Sequence, residues 1–305
     1  MTSNLLKLSS LVCLCAVLTA CLSLAPRRED ARSRTKGAPD EPLEIIDAHV
    51  HTDFSNESDE ASGIRNSKEE FLREMREAGV VGAVSMGSGR NKEFVDLRSY
   101  GVIHCGGVRD EVDVKAIEQG LQSGQYGCIK IYLGYVYRYA SDKAYEPIYE
   151  LAEKYAVPVV FHTGDTESTR GKLKYSDPLT VDEVAVDHPK VTFVLAHCGN
   201  PWIESAAEVA YKNPNVYLDG SAFLIGDLKK KPPEAIERYA VQAISWVFGY
   251  VENPEKLMFG TDWPLVSIPD YVDMFKRAIP REHWKAVFHD NAFKVFKFSA
   301  MRPTR

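Results

Sequence analysis

The 305-residue chain is long enough for one large α/β domain or two medium ones. Its 45% hydrophobic and 26% charged residues are those of an ordinary globular protein, and its formal charge of −6 is interspersed rather than gathered. With no basic stripe to follow a phosphate backbone, a nucleic-acid partner is not expected.

The first residues differ from the rest. Lys7 precedes an apolar run from Leu8 to Ala20, and Leu18-Thr19-Ala20-Cys21 closes it. A basic start, an apolar middle and a small-residue close describe an export signal over residues 1–20. The closing four residues resemble the lipobox of bacterial lipoproteins, in which the cysteine is lipidated and becomes the mature N-terminus. Lipid is therefore expected on Cys21, with the protein anchored to a membrane by that lipid alone and facing the periplasm or the cell exterior. A plain signal peptide or an uncleaved anchor is the alternative. Residues 21–42 mix charge with Pro26, Gly37, Pro39 and Pro42 and lack an apolar period, which predicts a flexible tether. A single folded domain is expected over 43–305. Of six cysteines, Cys13 and Cys15 fall in the signal and Cys21 takes the lipid. Cys105, Cys128 and Cys198 remain, each inside a predicted strand, and read as buried apolar thiols rather than a disulfide framework.

From Leu43 onward short apolar runs alternate with helical patterns. Strands are predicted at 44–52, 80–87, 102–108, 128–133, 158–164, 191–198, 216–222 and 256–262. Between the first two, Ser67 and Glu70 form a capping box, Phe71, Leu72, Met75 and Ala78 make an apolar stripe, and Gly79 stops the helix. Residues 145–156 place Ile148, Leu151, Ala152 and Tyr155 on one side. Residues 233–248 do the same with Ala235, Ile236, Tyr239, Ala240, Ala243 and Ile244. Eight strands each followed by helix predict an α/β fold of the (β/α)8 TIM-barrel type. A doubly wound open sheet is the rival, but no Gly-rich phosphate loop follows the first strand.

Chemistry in such a barrel sits at the C-terminal ends of the strands. Strand 1 ends in His49 and His51, which share a face because side chains alternate with period 2. Strand 4 presents Lys130, strand 5 His162, strand 6 His197 and strand 8 Asp262. Each apolar run stops at its polar residue. Imidazole and carboxylate donors converging at one rim are the ligand types of a transition-metal site.

Asp47-Ala48-His49-Val50-His51, the histidines of strands 5 and 6, and Gly260-Thr261-Asp262-Trp263-Pro264 together resemble the amidohydrolase superfamily, in its amidohydrolase-related ("amidohydrolase 2") branch. The likeness runs from about residue 43 to 297. It implies one divalent metal, zinc by preference, held by His49, His51, His162 and Asp262, with His197 beside it. Such a metal acidifies water toward a pKa of about 7. Asp262 and His197 are the implied catalytic residues, Asp262 taking the water's proton and His197 polarising a carbonyl or acting as general acid-base. In other branches a carboxylated strand-4 lysine bridges two metals, which would recruit Lys130 and His197 as ligands. Otherwise the Lys130 ammonium would meet a substrate carboxylate. Tyr132, Arg138 and Trp263 are candidate substrate contacts at the barrel mouth.

The expected activity is metal-dependent hydrolysis of an amide, ester or lactone bond in a small molecule. Non-oxidative decarboxylation is the alternative within the superfamily. A non-catalytic, metal-dependent binding lipoprotein is the alternative from another class. Oligomeric state has no signature in the sequence.

Overall fold

The computed structural model describes residues 42–88 and 94–298. The signal segment, Cys21 and all of the tether but Pro42 lie outside the described residues. Among the described residues, no helix is long and apolar enough to cross a membrane.

Eight parallel strands form one sheet in sequential order: β1 (Ile45–Val50), β2 (Val80–Met86), β3 (Val102–Val108), β4 (Cys128–Ile131), β5 (Val159–Phe161), β6 (Phe193–Leu195), β7 (Val216–Asp219) and β8 (Leu257–Met258). The chain returns from β8 to β1 through hydrogen bonds from Ala48 N to Phe259 O, Asp262 N to His49 O and His51 N to Trp263 O, which close the barrel. Gly260 permits this closure: a Cβ there would stand 3.1 Å from His49 Cβ and 3.3 Å from His49 N.

The apolar side chains separate into two sets, as a barrel with outer helices requires. Ile46, Ala48, Val84, Ile103, Val160 and Val194 fill the inside. Ala292, Val295 and Phe296, on the last helix and just after it, belong to the same inner cluster. The larger set lies between strands and helices. There the helix Lys68–Ala78 begins as its capping residues dictate: Ser67 Oγ accepts from Glu70 N, and Gly79 ends the helix with φ 74°.

Three expectations need correction. The strands end earlier than their apolar runs; β6 stops at Leu195 because His197 and Cys198 take positive φ. The apolar stripe predicted over 233–248 is broken: residues Glu237–Val241 form an i→i+5 turn, which rotates Tyr239 outward while Ala240, Val241, Ile244 and Val247 stay buried. Finally, Cys105 and Cys128 are not free thiols but a disulfide. They are register partners on adjacent strands, and both side chains face the inside of the barrel. Cys198 is the buried free thiol expected.

Candidate metal centre

The C-terminal rim gathers His49, His51, His197 and Asp262. β1 delivers the two histidines toward one point, with ring centroids 5.5 Å apart. The His49 and His197 rings approach to 4.7 Å. Asp262 is aimed by the segment after β8, and Asp47 fixes that segment. The Asp47 carboxylate accepts from His49 N, Thr261 N and Thr261 Oγ1, binding β1 to the turn that carries Asp262. Burial nonetheless raises Asp47 to about 7.

One ligand atom from each of His49, His197 and Asp262 lies within 4.8 Å of the others, and all three residues are buried. Asp262 Oδ1 stands 3.4 Å from His49 Nε2 and 3.1 Å from His51 Nε2. Neither His49 Nε2 nor Asp262 Oδ1 makes a hydrogen bond, although both are buried. His49 Nδ1 already engages Asp219 Oδ2 at 2.9 Å, so Nε2 carries a lone pair directed at a carboxylate oxygen. Two buried acceptors facing one another are unfavourable unless a cation lies between them. The donor set therefore fits a divalent metal, with imidazole nitrogens and a carboxylate oxygen of the kind zinc, manganese or iron accept.

The electrostatics agree. Burial alone would raise Asp262, but His49, His51 and His197 outweigh it and hold the carboxyl well below its usual range. Burial, with Lys130 nearby, lowers His49. Burial also pushes His197 down to about 4. Neutral imidazoles beside an ionised carboxylate are the ligand forms a metal requires.

The remaining expected residues take varied places. His162 stands behind His197 rather than in the cluster: its Nδ1 lies 3.2 Å from His197 Nε2 and its Nε2 2.7 Å from Asp165 O. Lys130 is fully buried, its Nζ has no hydrogen-bond partner, and burial draws it down to about 8. Tyr132 lines a cavity of about 550 Å³ that opens over His51, His162, His197 and Asp262. Arg138 does not line it; its guanidinium reaches back toward Arg109 O. Trp263 is no substrate contact either. It is fully buried against Phe54 and Phe71, because the chain at Asp262 turns through φ 71° and sends the next side chain into the core.

The cation that does face the cavity is Arg109, one residue past the end of β3. Its guanidinium lies 4.2 Å over the Tyr132 ring, and its Nε donates to Ser88 O. The other rim residue outside the sequence-based expectations is Asp219, at the end of β7. Both follow the rule that selected the others, an apolar strand stopping at a polar residue, but neither belongs to a paired motif.

A closed parallel barrel with histidines and a carboxylate gathered at its C-terminal rim defines a metal-dependent barrel enzyme. The family model described as Amidohydrolase matches residues 46–298, and the chain belongs to that family, whose metal-dependent members include hydrolases and decarboxylases. Its fold is similar to a TIM-barrel protein from Bordetella bronchiseptica, at 21% identity and TM-score 0.64 over 85% of this chain and 100% of that one. A probable 2-pyrone-4,6-dicarboxylic acid hydrolase from Acinetobacter baumannii, with citric acid bound, is similar at 16% identity and TM-score 0.60, over 83% and 99%. So is a 5-carboxyvanillate decarboxylase from Novosphingobium aromaticivorans with bound manganese, at 14% and 0.54, over 74% and 80%. No curated protein sequence matches the chain.

Proposed function

We propose that the protein is a metal-dependent hydrolase that cleaves a carbonyl-type bond, an amide, ester or lactone, in a small molecule bearing a carboxylate. The observation that carries the proposal is the pair of buried, unpartnered acceptors, His49 Nε2 and Asp262 Oδ1. In this reading His49, His51, His197 and Asp262 hold one divalent ion, zinc by preference, with His162 standing behind His197. When bound, that ion would supply Lewis acidity and lower the pKa of water to about 7. Asp262, ionised and buried, then accepts the proton of the attacking water and returns it to the leaving group. Arg109, held over the Tyr132 ring, presents its N–H groups to a substrate carboxylate. The acids in the names of two similar proteins, 2-pyrone-4,6-dicarboxylic acid and 5-carboxyvanillate, support that substrate class.

The test is turnover of lactone and ester carboxylic acids by the metal-loaded protein, with product acid and carbon dioxide both followed. Release of acid without carbon dioxide is expected, and Asp262→Asn abolishes it. Carbon dioxide release from an aromatic acid would replace hydrolysis with decarboxylation. Metal binding with neither product would leave a binding protein.

The proposal extends to location: export through residues 1–20 and anchoring by lipid on Cys21. The disulfide within the barrel supports it, since such bonds persist in oxidising compartments.

A further inference from the structure

The cavity over the metal centre does not end at Arg109. Arg109, Tyr135 and Glu167 also line a second cavity, of about 540 Å³, between the loops that follow β4 and β5. Those loops are laced together, so the second cavity is built before any ligand arrives. Tyr135 Oη accepts from Glu167 N at 3.2 Å, Tyr137 Oη donates to Arg170 O at 2.6 Å, and Lys172 N donates to Gly134 O at 3.0 Å. The β5 loop turns so tightly that a Cβ at Gly171 would run into Thr166 Oγ1. Tyr137 ends the helical turn Leu133–Val136 at φ 61°, a conformation that a bulky side chain keeps only where its surroundings hold it. Strain of this kind collects at ligand sites.

Four charges line the second cavity, two of each sign: Arg109 and Arg170, Asp110 and Glu167. Among the described residues none of the four forms an ion pair, with one another or with any other side chain. Lys172 Nζ, 4.1 Å over the Tyr137 ring, does not line the cavity. Opposite charges that share a cavity yet leave one another unpaired complement a ligand that itself carries both signs. The rings of Tyr135 and Tyr137 suit the methylenes of such a ligand. We propose that the second cavity binds the ammonium and carboxylate of a zwitterionic α-amino acid, whose side chain reaches past Arg109 and carries the scissile carbonyl group to the metal centre. The carboxylate meets Arg109 and Arg170, and the ammonium meets Asp110 and Glu167. The placing of the scissile bond rests on the hydrolase reading above, but the zwitterion subsite does not.

The experiment is calorimetry on the full chain with three side-chain amides: L-glutamine, Nδ-acetyl-ornithine and Nε-acetyl-lysine. Each is also offered with its α-ammonium acetylated or its α-carboxylate amidated. At least one zwitterion is expected to bind, and blocking either end should weaken it roughly fivefold or more, the size of a charge pair at a partly open site. Arg170 and Glu167 are exposed, so their substitution spares the core. Arg170→Ala should weaken the zwitterion but not its carboxylate-blocked form. Glu167→Gln should weaken the zwitterion but not its ammonium-blocked form. A general loss of packing would not produce that crossed pattern. Absence of binding by all three zwitterions overturns the proposal, as does equal affinity for a zwitterion and either of its blocked forms. The crossed pattern without hydrolysis by the metal-loaded protein would uphold the subsite and overturn the hydrolase reading instead.

Discussion

Asp262 sits at φ 71°, in the left-handed region that Asn and Asp tolerate and most side chains do not. Asn is therefore the substitution that removes its charge while keeping its backbone. Arg109 offers a second test at this scale. Lysine at 109 keeps the positive charge but loses the planar fork and the stacking on Tyr132. Arg109→Lys should raise KM for a carboxylate substrate by about tenfold, or ~1.4 kcal/mol, with kcat little changed. Steady-state kinetics check it, and an unchanged KM would remove Arg109 from substrate binding. The two residues also mark what was legible. His49, His51 and Asp262 are readable because each lies in a multi-residue pattern. Arg109 and Asp219 are lone polar residues, and their neighbours, Tyr132 and His49, come from distant strands. Trp263 was misplaced because its direction depends on the backbone turn at Asp262, which no alternation rule conveys.

The helices Lys68–Ala78 and Ile268–Ala278 are joined by a buried acid. Glu74 is 3% exposed, and its Oε2 accepts from Ile268 N at 2.7 Å, satisfying the first amide of the second helix. Burial raises Glu74 from 4.5 to about 7. Between those values the folded chain holds a proton that the unfolded chain has released, so stability falls as pH rises through this window. The difference corresponds to about 3 kcal/mol. Glu74→Gln keeps an accepting oxygen and carries no charge. It should raise the Tm at pH 8 and leave it nearly unchanged at pH 4.5; an equal effect at both pH values would refute the account. Helix starts such as Ser67 were readable from local chemistry. The outward turn of Tyr239 was not, because one i→i+5 turn shifts the face of everything after it while leaving composition untouched.

At the scale of the molecule, the order of eight strands followed from the alternation of apolar runs and helical stripes. The disulfide did not, because pairing Cys105 with Cys128 needs the register of β3 against β4. The bond closes a loop of 23 residues, for which chain entropy gives about 3 kcal/mol. Unfolding in denaturant should show the oxidised protein more stable than the reduced by about that amount. In cells whose thiols are blocked before lysis, the export proposal expects the protein in the membrane fraction with Cys105 and Cys128 joined. Cytosolic protein with both thiols free would overturn it.

The Cys105 and Cys128 side chains are no more than 1% exposed, enclosed by the inner walls of the barrel. A reducing agent in solution has no line of attack on either sulfur until strands separate. The speed at which that bond is lost in excess reductant is then a stopwatch on the barrel itself, recording how often β3 and β4 part in protein that is otherwise native.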